Sequence, residues 1–226
     1  MGAVPSRPLL LAAAAALVVG AAPSSAQDRA GSWTAIARVG AQLPADLYST
    51  SPPELGVGPC VELGIAYSFL PWLEVELAAG WALSQAPPQT ELVKTDPSDP
   101  MAPVTPVQLT RQLTTVPLTA TLRLSWPGLQ AVRPYAAVGG GAIYGSYLVE
   151  FTSTGHSTGW GPEVHVGLGV DAQVGPRWVL GVEGRWRGAI ATLWQENPPP
   201  LSGSWATSFF PNLGSVSLLA TAAWRF

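Results

Sequence analysis

The residues best placed to do chemistry lie on one short segment of the chain, at Glu163, His165 and Asp171. All three positions are odd-numbered, so in a β-strand, whose side chains repeat every two residues, they share one face. Glu163 and His165 would then lie about 7 Å apart at Cα, within reach of a shared hydrogen bond. An enzyme also needs a nucleophile beside the histidine, and the next residue on this face is Gly167. We therefore predict no enzyme activity and no catalytic residue.

The sequence offers equally little support for a metal or cofactor site. Two histidines nine residues apart and a single cysteine, Cys60, do not make a zinc ligand set. The carboxylates of Glu91, Asp96 and Asp99 lack the tight spacing of a calcium loop, which favours a solvated acidic loop. The glycines at 139–141 are not followed by a helix, so they do not form a phosphate loop. We predict neither a metal nor a cofactor, and a packing role for Cys60.

The last strand shows most clearly which elements carry these residues. Its even-numbered positions are all apolar and end on two aromatics, whereas its odd-numbered positions include serine, threonine and arginine. A period of two predicts a β-strand, and a wholly apolar face predicts contact with lipid. Seven earlier segments repeat the pattern, with strand charges on the other face, which is typical of a transmembrane β-barrel. The apolar positions of the last strand are Val216, Leu218, Ala220, Ala222, Trp224 and Phe226.

The predicted fold is all-β: an eight-stranded antiparallel up-and-down transmembrane β-barrel. The strands are predicted at 32–42, 58–69, 72–83, 114–126, 134–148, 161–174, 177–190 and 214–226. The fifth is the least regular, because the glycines at 139–141 blur its phase. Short connections at 70–71, 127–133 and 175–176 alternate with long ones at 43–57, 84–113, 149–160 and 191–213. Exported barrels have short periplasmic turns and long outer loops. The loop at 84–113 either lacks regular structure or continues as a hairpin above the membrane.

The N-terminus has the pattern of a secretory signal. Arg7 precedes an apolar stretch at 9–22, and Ser24-Ser25-Ala26 offers small residues for cleavage. We assign residues 1–26 to a signal peptide and residues 27–226 to the barrel. No later run of 18 apolar residues exists, so no membrane helix is predicted. A net charge of −3 on an exported chain argues against nucleic acid as a partner.

Aromatic residues fall at both ends of the strands, as expected for rings that prefer the headgroup level of a bilayer. Trp81, Tyr147, Trp160 and Trp194 lie near the long loops, and Phe69 and Tyr135 border the short turns. The predicted girdle on the short-turn side comprises Trp33, Trp72, Trp126, Trp178, Trp224 and Phe226.

The non-lipid face carries five arginines and six carboxylates, a near balance that predicts pairing inside the barrel. Eight strands leave an interior that side chains alone can fill. Near mid-height we expect five of these charges to close the lumen as an ionic plug, in preference to lining an open, wet lumen. The plug is predicted to consist of Arg38, Glu62, Glu76, Glu183 and Arg185. The remaining inward charges are Arg123, Arg187, Arg225, Glu74, Glu163 and Asp171, joined by His165.

Three segments resemble a known family. LGSVSLLATAAWRF is similar to the C-terminal signal read by the outer-membrane barrel assembly machinery, and VPLTATLRLSW with RPYAAVGGGAIYG resembles paired strands of small bacterial outer-membrane barrels. These barrels are the relatives of outer-membrane proteins A, X and W. The resemblance implies an integral protein of the Gram-negative outer membrane. Its partners would be outer-membrane lipid, lipopolysaccharide and the barrel assembly machinery. The family includes adhesins, membrane tethers and narrow conduits.

Three functions stay open at this point. The first is a structural or surface-interaction scaffold that displays four long loops to an extracellular ligand. The second is a porin-like narrow conduit for small or apolar solutes, with a pocket beside the inward residues Ala137, Gly139, Gly141 and Ile143 of the fifth strand. The third is a soluble lipocalin-like barrel, in which strand charges such as Glu76 and Arg185 would face outward.

Overall fold

A computed structural model of the chain describes residues 30–44, 55–94, 101, 103–126, 132–150, 154–189, 194–195 and 213–226. The predicted signal peptide, residues 1–26, lies outside these ranges. The described residues contain no helix that is long and apolar enough to cross a membrane.

All eight predicted strands are present, including the irregular fifth, and the described residues add two short ones. Six of the eight begin and end within two residues of their predicted bounds, and the other two, the fourth and the sixth, begin earlier than predicted. In chain order the strands are β1 (Trp33–Pro44), β2 (Gly58–Leu70), β3 (Leu73–Gln85), β4 (Gln89–Lys94), β5 (Val104–Ser125), β6 (Val132–Glu150), β7 (Thr154–Val174), β8 (Trp178–Ala189), β9 (Trp194–Gln195) and β10 (Ser215–Arg225).

The sheet closes on itself. Its strands follow the order β3-β2-β1-β10-β8-β7-β6-β5, every neighbouring pair is antiparallel, and β5 pairs back onto β3. The register can be followed from each residue to its paired neighbour on the next strand. Starting at Pro44 on β1 and passing once round the barrel, it returns to β1 at Thr34, so the strands are staggered by ten residues. This stagger tilts the strands, and with eight of them it leaves an interior only as wide as the side chains that fill it.

The barrel is apolar outside and charged inside. On β3, Leu77 is 59% exposed while its neighbour Glu76 is 0% exposed, and Leu218 is 69% exposed while Arg185 is 2% exposed. A water-soluble barrel has the opposite polarity, so the lipocalin-like alternative is wrong. The outer surface of alternating apolar residues is the lipid-facing wall of a membrane barrel.

One side of the barrel reaches well beyond this wall. β5, β6 and β7 have 22, 19 and 21 residues, against 12 in β1 and β8. The extra length, seven to ten residues at roughly 3.4 Å each, projects past the long-loop end. There β4 pairs with β5 and β9 pairs with β7. We call these outer portions of β5, β6 and β7, together with β4 and β9, the projecting sheet.

The projecting sheet revises two loop predictions. For the loop at 84–113 the hairpin alternative is the one observed, since β4 pairs with β5 from Gln89–Leu109 to Lys94–Val104. The prediction of a long loop at 149–160 is wrong. β6 and β7 stay paired up to Glu150 and Thr154, because the strand pattern continues past the membrane instead of ending there.

The polarity of the wall can be tested with one lipid-facing position and one projecting position. Leu122 lies on the lipid-facing wall, four residues before Trp126. We expect Leu122→Lys to lower the free energy of unfolding in liposomes by about 2–4 kcal/mol, because an ammonium must enter hydrocarbon. The control Val104→Lys, on an exposed residue of the projecting sheet, should change it by no more than ~0.5 kcal/mol. Equal effects on titration with urea would contradict the membrane assignment of the wall.

Candidate functional site: an ionic network inside the barrel

The structure brings all five residues of the predicted plug together. Arg38 binds both carboxylate oxygens of Glu76, with Nη2 2.7 Å from Oε2. Arg185 donates to Glu62 at 2.8 and 2.9 Å and, through Nε, to Glu183 at 2.7 Å. Arg38 also lies 3.6 Å from Glu62 and from Glu183, which joins the two groups. All five side chains are buried.

The pairing crosses more than one strand. Arg38 on β1 stands directly opposite Glu62 on β2, yet its two-pronged partner is Glu76 on β3. The planar guanidinium suits such a contact because its fork matches a carboxylate. Between them lies Gly64, where an added Cβ would stand 3.2 Å from Oε1 of Glu76. The missing side chain gives the ion pair its space.

Toward the long-loop end the network continues through Arg187. Its Nη2 donates to Glu62 at 3.0 Å and its Nε to Glu163 Oε1 at 2.9 Å. Glu163 Oε1 is also 3.1 Å from Nδ1 of His165, so Glu163 and His165 touch as predicted from their spacing. Nε2 of His165 is 2.9 Å from the hydroxyl of Thr121.

Thr121, His165 and Glu163 therefore form a hydroxyl–imidazole–carboxylate chain that the sequence analysis missed. The strand of His165 carries no hydroxyl beside the ring, whereas Thr121 lies two strands away on β5. It reaches the ring because β6 offers only Gly139 at the level between them, where a Cβ would lie 2.5 Å from Nε2. The three side chains are buried.

Toward the short-turn end the network continues through Arg123. Its guanidinium donates to Glu74 at 3.0 Å and to Asp171 at 3.1 Å. It also lies over the ring of Tyr135, 3.9 Å from the centroid, and the Tyr135 hydroxyl donates to Glu183 at 2.8 Å. The placement of Tyr135 at the membrane border was wrong. The placement followed only its position at the end of the strand, whereas the ring faces inward with the odd-numbered residues predicted to do so, such as Ala137 and Ile143.

Arg133 is the second inward residue that sequence reasoning missed. It was assigned to the turn at 127–133, but it belongs to β6, pairs opposite Asp171 and is buried. With it, the described lumen holds equal numbers of arginines and carboxylates. These are Arg38, Arg123, Arg133, Arg185, Arg187 and Arg225 against Glu62, Glu74, Glu76, Glu163, Asp171 and Glu183.

Glycines mark the places where large lumen side chains lie. A Cβ on Gly169 would meet the Tyr135 ring at 2.3 Å, and one on Gly181 would meet Asp171 at 2.4 Å. Gly139 stands in the same relation to His165. An inward-facing glycine therefore indicates that a bulky polar side chain of a neighbouring strand lies beside it. Once the register is known, these glycines locate the members of the network.

The region predicted as an apolar pocket on the fifth strand is filled. His165 takes the space beside Gly139, and Ile143 packs with Leu113, Ala189 and Leu213 in a buried apolar cluster at the long-loop end. Tyr147 packs against this cluster, so its predicted place in the outer girdle is wrong.

Cys60 packs with Ala82 and Leu219, in the small apolar role expected of it. A groove of about 420 Å³ lies on the lipid-facing wall instead, beside Gly184.

The predicted girdle residues surround the short-turn end. Trp33, Trp72, Trp126, Trp178 and Phe226 are exposed, and Trp224 is half-buried against Trp178 with ring centroids 4.7 Å apart. At the other end Trp81 and Trp160 are exposed, and the side chain of Trp194 lies outside the described residues. The rings thus mark two levels of the wall, as the headgroup regions of a bilayer require.

The closed barrel, its inverted polarity and its aromatic borders define an integral β-barrel of the outer-membrane class. No protein-family model and no curated protein matches the chain by sequence. Solved structures do match. Neisserial surface protein A (NspA) is 16% identical with a TM-score of 0.52, and the match covers 87% of this chain and 98% of that one. The outer membrane protein OprG from Pseudomonas aeruginosa is 16% identical with a TM-score of 0.52, over 90% and 99% of the two chains. A major outer membrane protein from Thermus thermophilus is 12% identical with a TM-score of 0.50, over 86% and 99%. At these identities the likeness shows the fold.

The role of the lumen glycines can be tested against a glycine on the wall. We expect Gly169→Ala to lower the free energy of unfolding by about 1–3 kcal/mol, since the new methyl overlaps the Tyr135 ring. Gly184→Ala is the matched control. Its Cβ meets nothing within 4 Å, so a change below ~0.5 kcal/mol is expected. Denaturant unfolding of both variants measures the difference, and a Gly169→Ala protein as stable as the parent would refute the assigned packing.

Proposed function

We propose that this chain is an integral outer-membrane scaffold. In this proposal the ionic network closes its lumen, and the projecting sheet with the adjoining loops meets an extracellular partner. The observation that carries the proposal is the burial of the five plug residues at the centre of the barrel.

Burial supports closure because an open column of water would leave those side chains exposed. Each of them is instead covered by its ion-pair partners, and the apolar cluster of Leu113, Ile143, Ala189 and Leu213 lies above them. An ion that crosses would have to separate buried pairs, which is strongly unfavourable when one partner is left behind. The same burial argues against catalysis by the Thr121–His165–Glu163 chain, since no substrate meets it.

The shape of the barrel supports a role on the outer side. Its only described extension beyond the wall is the projecting sheet, and residues 103–106 of β5 and its approach are exposed there. Loops carry function most often when a rigid scaffold holds them in place. The partner proposed here is an extracellular macromolecule or surface. Outer-membrane lipid and lipopolysaccharide would contact the wall, and the assembly machinery would read β10.

Planar-bilayer conductance separates a closed scaffold from a narrow conduit. We expect the refolded parent protein to show no steady open current. Glu62→Ala combined with Arg185→Ala should conduct, because it empties the centre of the network. Leu218→Ala, on the wall, is the control and should stay closed. Steady currents through the parent would discard the plug and favour the conduit.

The role of the projecting sheet can be tested by removing its hairpin. The backbone N–H of Ala86 donates to the carbonyl of Arg111 at 2.9 Å, so an Asn-Gly turn can join these residues in place of 87–110. The shortened barrel should fold, as judged by heat-dependent mobility on gels. Cells that display it should lose adhesion to immobilised matrix proteins and glycans that the parent confers. Adhesion by neither protein, or equally by both, would contradict the proposal.

A further inference from the structure

Among the described residues, two arginines at the short-turn mouth of the lumen lack the ion-pair partners that the other lumen arginines have. Arg133 lies near the start of β6 and Arg225 ends β10, and both belong to the inward-facing phase of their strands. Their guanidinium groups are close enough to repel each other. In exported barrels this mouth faces the periplasm.

The nearby carboxylates already serve another arginine. Arg123 binds both Glu74 and Asp171, at 3.0 and 3.1 Å. Within the described residues, neither the Arg133 nor the Arg225 side chain makes a hydrogen bond or an ion pair within 4 Å. Arg225 feels Glu74 and Asp171, and Arg133 feels Asp171, only at longer range. Arg133 is nevertheless only 7% exposed, and Nε of Arg225 is buried without an acceptor.

A third group at the mouth is also without a partner. Thr34 stands directly opposite Arg225 in the β1–β10 register and is buried. Its hydroxyl has no hydrogen-bond partner among the described residues. Buried polar groups in folded proteins are nearly always satisfied, so the unsatisfied Nε of Arg225 and hydroxyl of Thr34 indicate an acceptor that binds there.

We propose that Arg133, Arg225 and Thr34 form a binding site for a small oxyanion, a phosphate or a carboxylate, at the short-turn mouth of the barrel. Guanidinium forks match the oxygen geometry of both groups, and an anion between the two arginines removes their mutual repulsion. The lumen wall separates these side chains from lipid, so the ligand is a free solute of the aqueous compartment.

Calorimetric titration tests the site on the full mature chain, refolded in an uncharged detergent. Inorganic phosphate and acetate are titrated separately at constant ionic strength in chloride. The parent should bind phosphate or acetate saturably. Arg133→Gln and Arg225→Gln should each weaken that binding at least tenfold. The matched control is Arg177→Gln, which removes an exposed arginine from the outer side of the same rim. It should bind like the parent.

Thermal unfolding gives a second measurement. Phosphate or acetate at saturation should raise the midpoint of the parent and of Arg177→Gln but not that of Arg133→Gln. If Arg133→Gln does not fold, Arg225→Gln and Thr34→Val carry the same comparison. The site is refuted if the parent binds neither anion, or if the lumen variants bind as the parent does. A short-chain anionic phospholipid that alone binds would assign the mouth to lipid headgroups and also overturn the free-solute proposal. None of these outcomes bears on closure of the lumen, which the conductance experiment tests separately.

Discussion

Exclusion of charge from hydrocarbon is the constraint on which this structure depends. A wall that faces acyl chains must be apolar, and its backbone groups must be satisfied within the sheet, which only a closed barrel provides. The charged residues of the membrane-spanning strand portions are thereby forced into a lumen that eight strands make narrow. Confinement favours pairing, and the result is a network that runs from Glu74 through Arg123, Tyr135, Glu183, Arg185 and Glu62 to Arg187 and Glu163.

The strands and the polarity of the barrel were predictable because period-two alternation is local and needs no knowledge of neighbours. The grouping of the five central charges was predictable for the same reason, since strand direction alone places Arg38, Glu62 and Glu76 at similar heights. Contacts across two strands were not, because they depend on register. Thr121 reaches His165 only past Gly139, and no feature of residue 121 alone indicates this. Tyr135 was misplaced because its position at the strand end was weighed and its inward phase was not, and Arg133 because the strand was predicted to begin at residue 134.

The projecting sheet was predicted only in part, as one of two alternatives for the loop at 84–113, for a different reason. Polar, proline-containing segments such as residues 104–112 look like loops, because strand signals rely on a hydrophobic face that a sheet above the membrane does not need. The hairpin of β4 and β5 is held by backbone pairing that continues from the membrane portion, so each new pair extends an existing ladder. The structure therefore places a paired hairpin where the sequence left an irregular loop and a hairpin both open.

The neighbours β1 and β10 join the two ends of the chain, Trp33–Pro44 with Ser215–Arg225. The barrel consequently closes only when β10 pairs with both β1 and β8. Without β10 the sheet would keep two unsatisfied edges, which hydrocarbon does not tolerate.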